Sequence, residues 1–261
     1  QDWIDDKAGR GIPHKFIYNK GGLDDVNVTG VDFLLGLFSQ SHMSFDVNRN
    51  VTREPALHEM AEKAIGILRK NGKGYFLLVE GGRIDSAHHD SQASKALHDV
   101  LALARAVETA VRLTDRSDTL ILVTADHSHV MSIAGYASRG NPILGISDLG
   151  GSANLERPLD LVPYTTIVYG NGPGFTSPRA NLTSVDTENP EYTFQSAVHM
   201  ESETHGGEDV AVYAIGPQSF LFSGVHENSY LPIAMAYASC VGPYADGQNR
   251  PCAKADVKRV Y

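Results

Sequence analysis

Short apolar runs that stop abruptly at a group of carboxylates and imidazoles recur in this chain, and they restrict the folds open to it. The clearest case is LLVEGGRIDSAHH, Leu77 to His89. Tyr75 to Val79 has the length and the aromatic and β-branched content of a buried strand. Glu80 sits at its end, Gly81 and Gly82 break it, and Asp85, His88 and His89 follow. In a helix, Asp85 and His89 share one face. A carboxylate beside an imidazole is a donor pair suited to a zinc-like ion. Taken alone, the stretch reads equally well as a hydrogen-bonded Asp–His helix start.

Two further segments remove that balance. TLILVTADHSH, Thr119 to His129, is again an apolar strand, Leu120 to Val123, followed by Asp126, His127 and His129. Ligand sites of open α/β sheets lie at the carboxyl ends of strands. ESETHGGEDV, Glu201 to Val210, adds His205 beside two glycines that let backbones approach closely. Three strand-end clusters in one chain point to a metal site.

The rest of the chain supplies a frame. Lys15 to Asn19 reads as a strand and Val31 to Phe38 as a short apolar helix. Glu54-Pro55 opens a helix from Ala56 to Leu68. Ser91 to Leu113 is the strongest helix, with Ala93, Leu97, Val100, Leu101, Ala104, Val107, Ala110 and Val111 forming a core-facing stripe. From Met131 to Met200 periodic segments shorten and Gly, Pro, Asn and Ser accumulate, as in SRGNPILGISDLGGS, with one strand-like run at Tyr164 to Tyr169. The core resumes with a strand at Val210 to Ile215 and a helix at Tyr230 to Ser239. We therefore expect residues 1–130 to form α/β core, with 1–72 peripheral and 73–130 carrying the metal-site strands and helix. Residues 131–200 read as a loop-rich insertion, and 201–261 as the core return and C-terminal helix. The expected fold is an α/β three-layer sandwich with a mostly parallel central sheet.

Length and charge exclude several functions. A chain of 261 residues with 42% hydrophobic content can bury a sizeable core. A formal charge of −9 argues against sequence-independent nucleic-acid binding, which needs a basic face. Phosphate binding stays open, because metal ions can supply local positive charge. No run of about 18 apolar residues is present to span a membrane, and the start QDWIDDKAGR is too polar for a signal peptide. Sequons at Asn27, Asn50 and Asn181 are glycosylation candidates. Cys240 and Cys252 flank a Gly/Pro/Asn-rich loop, which suits either a short disulfide clip or two free thiols.

VEGGRID with its following His pair, VTADHSHV and ETHGGEDVAV together resemble the alkaline phosphatase family, especially its animal members. So do FLLGLF (Phe33 to Phe38), YGNGPG (Tyr169 to Gly174) and GVHENSYLP (Gly224 to Pro232). The resemblance covers nearly the whole chain but only the C-terminal half or so of such an enzyme. It implies phosphomonoester hydrolysis through two zinc ions and one magnesium. Asp85, His89 and His205 would hold the first zinc, Asp126 and His127 the second, and Glu80 the magnesium. His129 falls outside the ligand set, as an orienting neighbour. Ser86 stands where vertebrate members often have histidine. A calcium site would involve the Phe38 carbonyl and Glu54. Ser39 replaces a usual carboxylate there and a further ligand lies upstream, so calcium is not counted among the expected ions. By the same resemblance, residues 131–200 are the family's crown at a homodimer interface, where Tyr136 reaches the neighbouring active site. Cys240 and Cys252 then form a disulfide, and the protein is extracellular, secreted or held by a lipid anchor.

The resemblance also implies what these residues lack. The family's nucleophilic serine, which carries the phosphoserine intermediate, its bridging aspartate and its phosphate-binding arginine all belong to the N-terminal half. Asp85-Ser86-Ala87 copies the nucleophile tripeptide only superficially, since Asp85 is committed to metal by its spacing from His89. Arg83 and Arg139 are read as salt-bridge residues rather than phosphate binders. The expectation is thus an alkaline phosphatase whose partner is its own N-terminal half. The alternative is a non-catalytic metal- or partner-binding glycoprotein of the same fold.

Overall fold

The computed structural model describes residues 1–149 and 157–245. The chain begins with α1 (Asp2–Gly9), β1 (His14–Ile17), α2 (Lys20–Asp24) and β2 (Phe33–Gly36). Asn19 starts α2 by accepting a hydrogen bond from the Gly22 amide at 2.8 Å. β1 and β2 pair in parallel, from His14 opposite Phe33 to Ile17 opposite Gly36. That strand corrects the helix expected over Val31–Phe38. A short apolar run is ambiguous by periodicity. Here the β1 edge offers backbone partners that so short a helix could not find within itself.

Pro55 precedes α3 (Leu57–Leu68), and the Glu59 carboxylate accepts the Ala56 amide at 2.7 Å, closing the first turn. Ile67 of α3 completes a core cluster with Ile17, Leu23, Val26 and Val31. α4 (Arg83–His89) and α5 (Ala93–Leu113) follow, joined through Ser91, which is left-handed (φ 53°) and buried. α5 packs on both α3 and α4.

The buried face of α5 is the expected one only at its start, where Ala93 is buried and Leu97 packs on the same cluster. Ala93, Ala96, Ala102, Ala106 and Thr109 point inward, while Val100 and Leu101 are exposed. Small residues let α5 approach two helices at once, and this close fit outweighs burial of the bulkier stripe on the other side. Tyr75–Val79 also departs from expectation. It forms no strand, and Phe76 and Leu78 are 72% and 77% exposed. Strand-type residues need a sheet edge to pair with, and among the described residues no strand pairs with this segment.

The remaining strands are β3 (Ile121–Val123), β4 (Ser128–His129), β5 (Met131–Ile133), β6 (Ile167–Gly172), β7 (Ser196–His199), β8 (His205–Gly206) and β9 (Tyr213–Ile215), followed by α6 (Tyr230–Ser239). β3 pairs antiparallel with β9, β4 antiparallel with β8, and β6 lies between antiparallel β5 and parallel β7. Among the described residues the sheets are therefore small and mixed, where one mostly parallel sheet was expected. Ile167, Tyr169 and Phe194 are fully buried against Ala93 of α5. No helix among the described residues is long and apolar enough to cross a membrane. Cys240 caps α6, and Cys252 lies outside the described residues, as does segment 150–156.

Candidate metal centre

Three elements meet at the candidate site. α4 projects Asp85 and His89 from one face, with Asp85 Oδ1 3.3 Å from His89 Nε2. The chain leaving β3 delivers His127, and the β4–β8 pair sets His129 opposite His205. A β-carbon on Gly206 would collide with Ser128 Oγ and Glu208 Oε2, so glycine is what allows β4 and β8 to close up here. Gly207 needs no such room.

The side chains converge on one oxygen. Asp85 Oδ1 lies 3.0 Å from His129 Nε2, 3.4 Å from His205 Nε2 and 3.7 Å from His127 Nε2, besides the His89 contact. His127 and His205 stack with ring centroids 3.5 Å apart. Three of the four rings are held through their other nitrogen. His89 Nδ1 donates to the Glu203 carbonyl (2.6 Å), His127 Nδ1 to the Ser128 carbonyl (3.0 Å) and His129 Nδ1 to the Glu203 carboxylate (2.6 Å). That pattern places the protons on Nδ1 and leaves Nε2 of His89 and His127 available to an ion, as metal-ligating histidines require, while His129 Nε2 lies within hydrogen-bond distance of Asp85 Oδ1. Donor atoms of Asp85, His127, His129 and His205 lie close enough together to share an ion, as do those of His89, His129 and Glu203. The donor set suits zinc, which takes imidazole and carboxylate ligands with an open position in catalytic sites.

The other sequence candidates are spread more widely. Asp126 is 88% exposed and lies 3.4 Å from His127 Nε2. Glu80 is exposed on the irregular segment before α4, folded over Gly82, and does not join the converging donors. Tyr136 is exposed in the turn after β5. The Glu54 carboxylate accepts the Ser44 amide at 3.1 Å, and the Ser39 hydroxyl caps its own turn at the Ser41 amide. Phe38 packs on the first core cluster. Ser86 Oγ turns back to the Gly82 carbonyl at 3.4 Å, within its own helix. Arg83 forms no ion pair among the described residues; its guanidinium lies 3.7 Å over the Phe45 ring. Arg139 is exposed.

Two residues that sequence reasoning passed over matter here. Glu203 is fully buried beneath the cluster. Its position two before His205 in an extended segment, hence on the same face, was the available signal. His88, noted only as part of the pair, turns away from Asp85 and bonds Tyr169 Oη through Nδ1 at 2.9 Å, stacking on His129 at 4.7 Å. Burial first, then the neighbouring His129 charge, brings its pKa down to about 4, so the ring is a neutral brace at physiological pH. Burial likewise pushes the Tyr169 phenol up, keeping it protonated.

The comparisons agree in direction. The alkaline phosphatase family model matches residues 4–241. The tissue-nonspecific alkaline phosphatase of Gallus gallus is 47% identical over 266 residues, covering 100% of this chain and 50% of that protein. The Homo sapiens tissue-nonspecific isozyme is 49% identical over 230 residues, covering 87% of this chain and 43% of its own length. The alkaline phosphatase of Gadus morhua is 46% identical, with 93% and 50% covered. The chain thus spans about half the length of these relatives, and the match falls on their C-terminal half. Among solved structures, a variant of the TAB5 alkaline phosphatase with magnesium bound shares the fold at TM-score 0.59 and 17% identity, over 93% of this chain and 56% of that one. The alkaline phosphatase of Shewanella sp. does so at TM-score 0.57 and 22% identity, over 90% and 61%. With the family model spanning most of its length and relatives near half-identical across it, this chain belongs to the alkaline phosphatase family.

Proposed function

We propose that this chain is the metal-holding half of an enzyme that hydrolyses phosphate monoesters. The observation that carries the reading is the convergence of four histidine Nε2 atoms on Asp85 Oδ1, three of them with Nδ1 already committed. Asp85, His89 and His205 hold one zinc, Asp126 and His127 a second, and Glu80 a magnesium, whose preference is for oxygen ligands. Bound zinc supplies positive charge to a phosphate ester that otherwise repels its attacker and loses a poor leaving group. The chain's own residues orient the ligands and keep the imidazoles unprotonated at Nε2. The nucleophilic serine and the phosphate-binding arginine come from an upstream half of comparable size, with which a three-layer sandwich and its mostly parallel sheet are completed. Support for that partner lies in the apolar surface left open: Phe76, Leu78, Leu101 and Tyr213 are all more than half exposed.

Anomalous scattering at the zinc edge tests the site. Metal-replete protein is expected to show a peak among Asp85, His89 and His205, and no peak there would sink the reading. A second, weaker peak is expected at Asp126 and His127. Aryl-phosphate hydrolysis by the complete polypeptide, abolished in Asp85→Ala, separates the phosphatase from a non-catalytic binding protein.

The secondary proposals follow the same frame. Residues 131–200 form a crown at a homodimer interface that carries Tyr136 toward the partner. Cys240 pairs with Cys252 in an extracellular protein. Glycosylation at Asn27, Asn50 and Asn181 draws support from a shared local geometry. In each, the exposed asparagine Oδ1 accepts both the amide and the hydroxyl of the threonine two residues on.

A further inference from the structure

One buried carboxylate connects all three segments of the metal centre. Glu203 lies in the extended chain just before β8, with its side chain fully shielded from solvent. Its amide donates to the His89 carbonyl at 2.9 Å, and its own carbonyl accepts His89 Nδ1 at 2.6 Å. Oε2 accepts His129 Nδ1 at 2.6 Å, and Oε1 accepts the Val130 amide at 2.7 Å. The same backbone carries His205 two residues later. Gly172 (φ 134°) seals the site from the β6 side, since a β-carbon there would lie 3.2 Å from Glu203 Cβ and collide with the Ser91 hydroxyl.

A buried carboxylate is costly unless every oxygen is bonded, and an apolar side chain would fill such a space with less penalty. The bonds that Glu203 makes decide which histidine nitrogens carry protons. We propose that Glu203 is the positioning residue of this centre: its carbonyl accepts the Nδ1 proton of His89, which aims that ring's Nε2 at the ion, and its carboxylate accepts the Nδ1 proton of His129, the ring whose Nε2 bonds the ligand carboxylate of Asp85 at 3.0 Å. The inference rests on the metal reading above. An isosteric amide exposes the logic. The Val130 amide can only donate, so it takes the single oxygen of a glutamine. The NH2 group then faces His129 and must donate to Nδ1, so the ring loses its Nδ1 proton and the charged acceptor behind it, and its hold on Asp85 changes.

The test uses the complete polypeptide and two readouts besides turnover. Zinc affinity by chelator competition is expected to fall about 10–100-fold in Glu203→Gln, the usual effect of losing such an outer partner. Nitrogen-15 histidine spectra of the metal-free protein are expected to show His129 protonated at Nδ1 in the wild type and at Nε2 in the variant. Phe194→Leu, buried nearby but touching no ligand, is the control: it lowers the melting temperature and leaves zinc affinity unchanged. Unaltered affinity with an unmoved proton in Glu203→Gln overturns the inference. If that variant fails to fold, the wild-type spectrum decides, and a His129 lacking its Nδ1 proton overturns it equally. Wild-type protein that binds no zinc would sink the metal reading instead, while the tautomer measurement still judges Glu203.

Discussion

At the scale of single residues, oxygen acceptors organise the centre and the histidines follow. Asp85 gathers the rings, and the Glu203 and Ser128 acceptors behind them set which nitrogen faces in. His88 shows how fine the assignment is. It is next to His89 in sequence, yet it faces Tyr169 and stays neutral, because one helical step turns it about 100° away from its neighbour. Gly172 is the residue where backbone shape and site meet. Gly172→Ala forces a left-handed φ on alanine and drives a methyl into Ser91 and Glu203. A loss of about 1–3 kcal/mol is expected from overpacking, with weakened zinc binding because Glu203 is displaced. Urea melts and chelator competition check it, and an unchanged midpoint would show that β6 has room to shift.

At the scale of elements, α5 decides how the molecule is assembled. Its alanine face packs on α3 and α4, and its opposite face carries Val100 and Leu101 into the open. The two faces predict opposite behaviour. Ala106→Leu puts a large side chain into the close helix contact and should destabilise by about 1–3 kcal/mol. Leu101→Lys should leave the stability of this chain within about 0.5 kcal/mol but obstruct association with an upstream half. Thermal melts read the first effect and co-purification reads the second. If Leu101→Lys unfolds the chain and leaves association intact, the two faces have been assigned the wrong way round.

For the whole molecule, the open surfaces and the short sheets belong to one picture. β3 and β9 form a two-stranded ribbon with Tyr213 exposed, and Tyr75–Val79 has no partner strand among the described residues. Unpaired edges and exposed aromatic residues promote association. Residues 1–261 alone are therefore expected to aggregate readily and to leave aryl phosphates intact, because catalytic groups that act as a unit fail together. Co-expression with the upstream half of a relative should restore solubility and turnover. The assay requires verified intact mass, zinc, magnesium and alkaline pH. Turnover of the isolated chain on the order of 10 per second, lost in Asp85→Ala, would make it self-sufficient and return attention to Ser86.

Some of this was written into local sequence and some was not. Asp85 and His89 could be placed on one helix face, the strand before Asp126 located, and α3, α5 and α6 bounded closely, because helical spacing and strand length are local properties of the backbone. Family membership was legible for a related reason: order and spacing across VEGGRID, VTADHSHV and ETHGGEDV agree together. The strand at Phe33–Gly36, the exposed Tyr75–Val79 and the inward alanine face of α5 were not legible. Each depends on which surface lies opposite, and periodicity records amphipathicity without naming the partner. Glu203 belongs to the same class. Its carboxylate acquires a role only when α4 and β4, far apart in the chain, close around it and exclude water. Local sequence determined the donors; tertiary contact alone decided their protonation pattern and aim, because a hydrogen bond needs its acceptor in place.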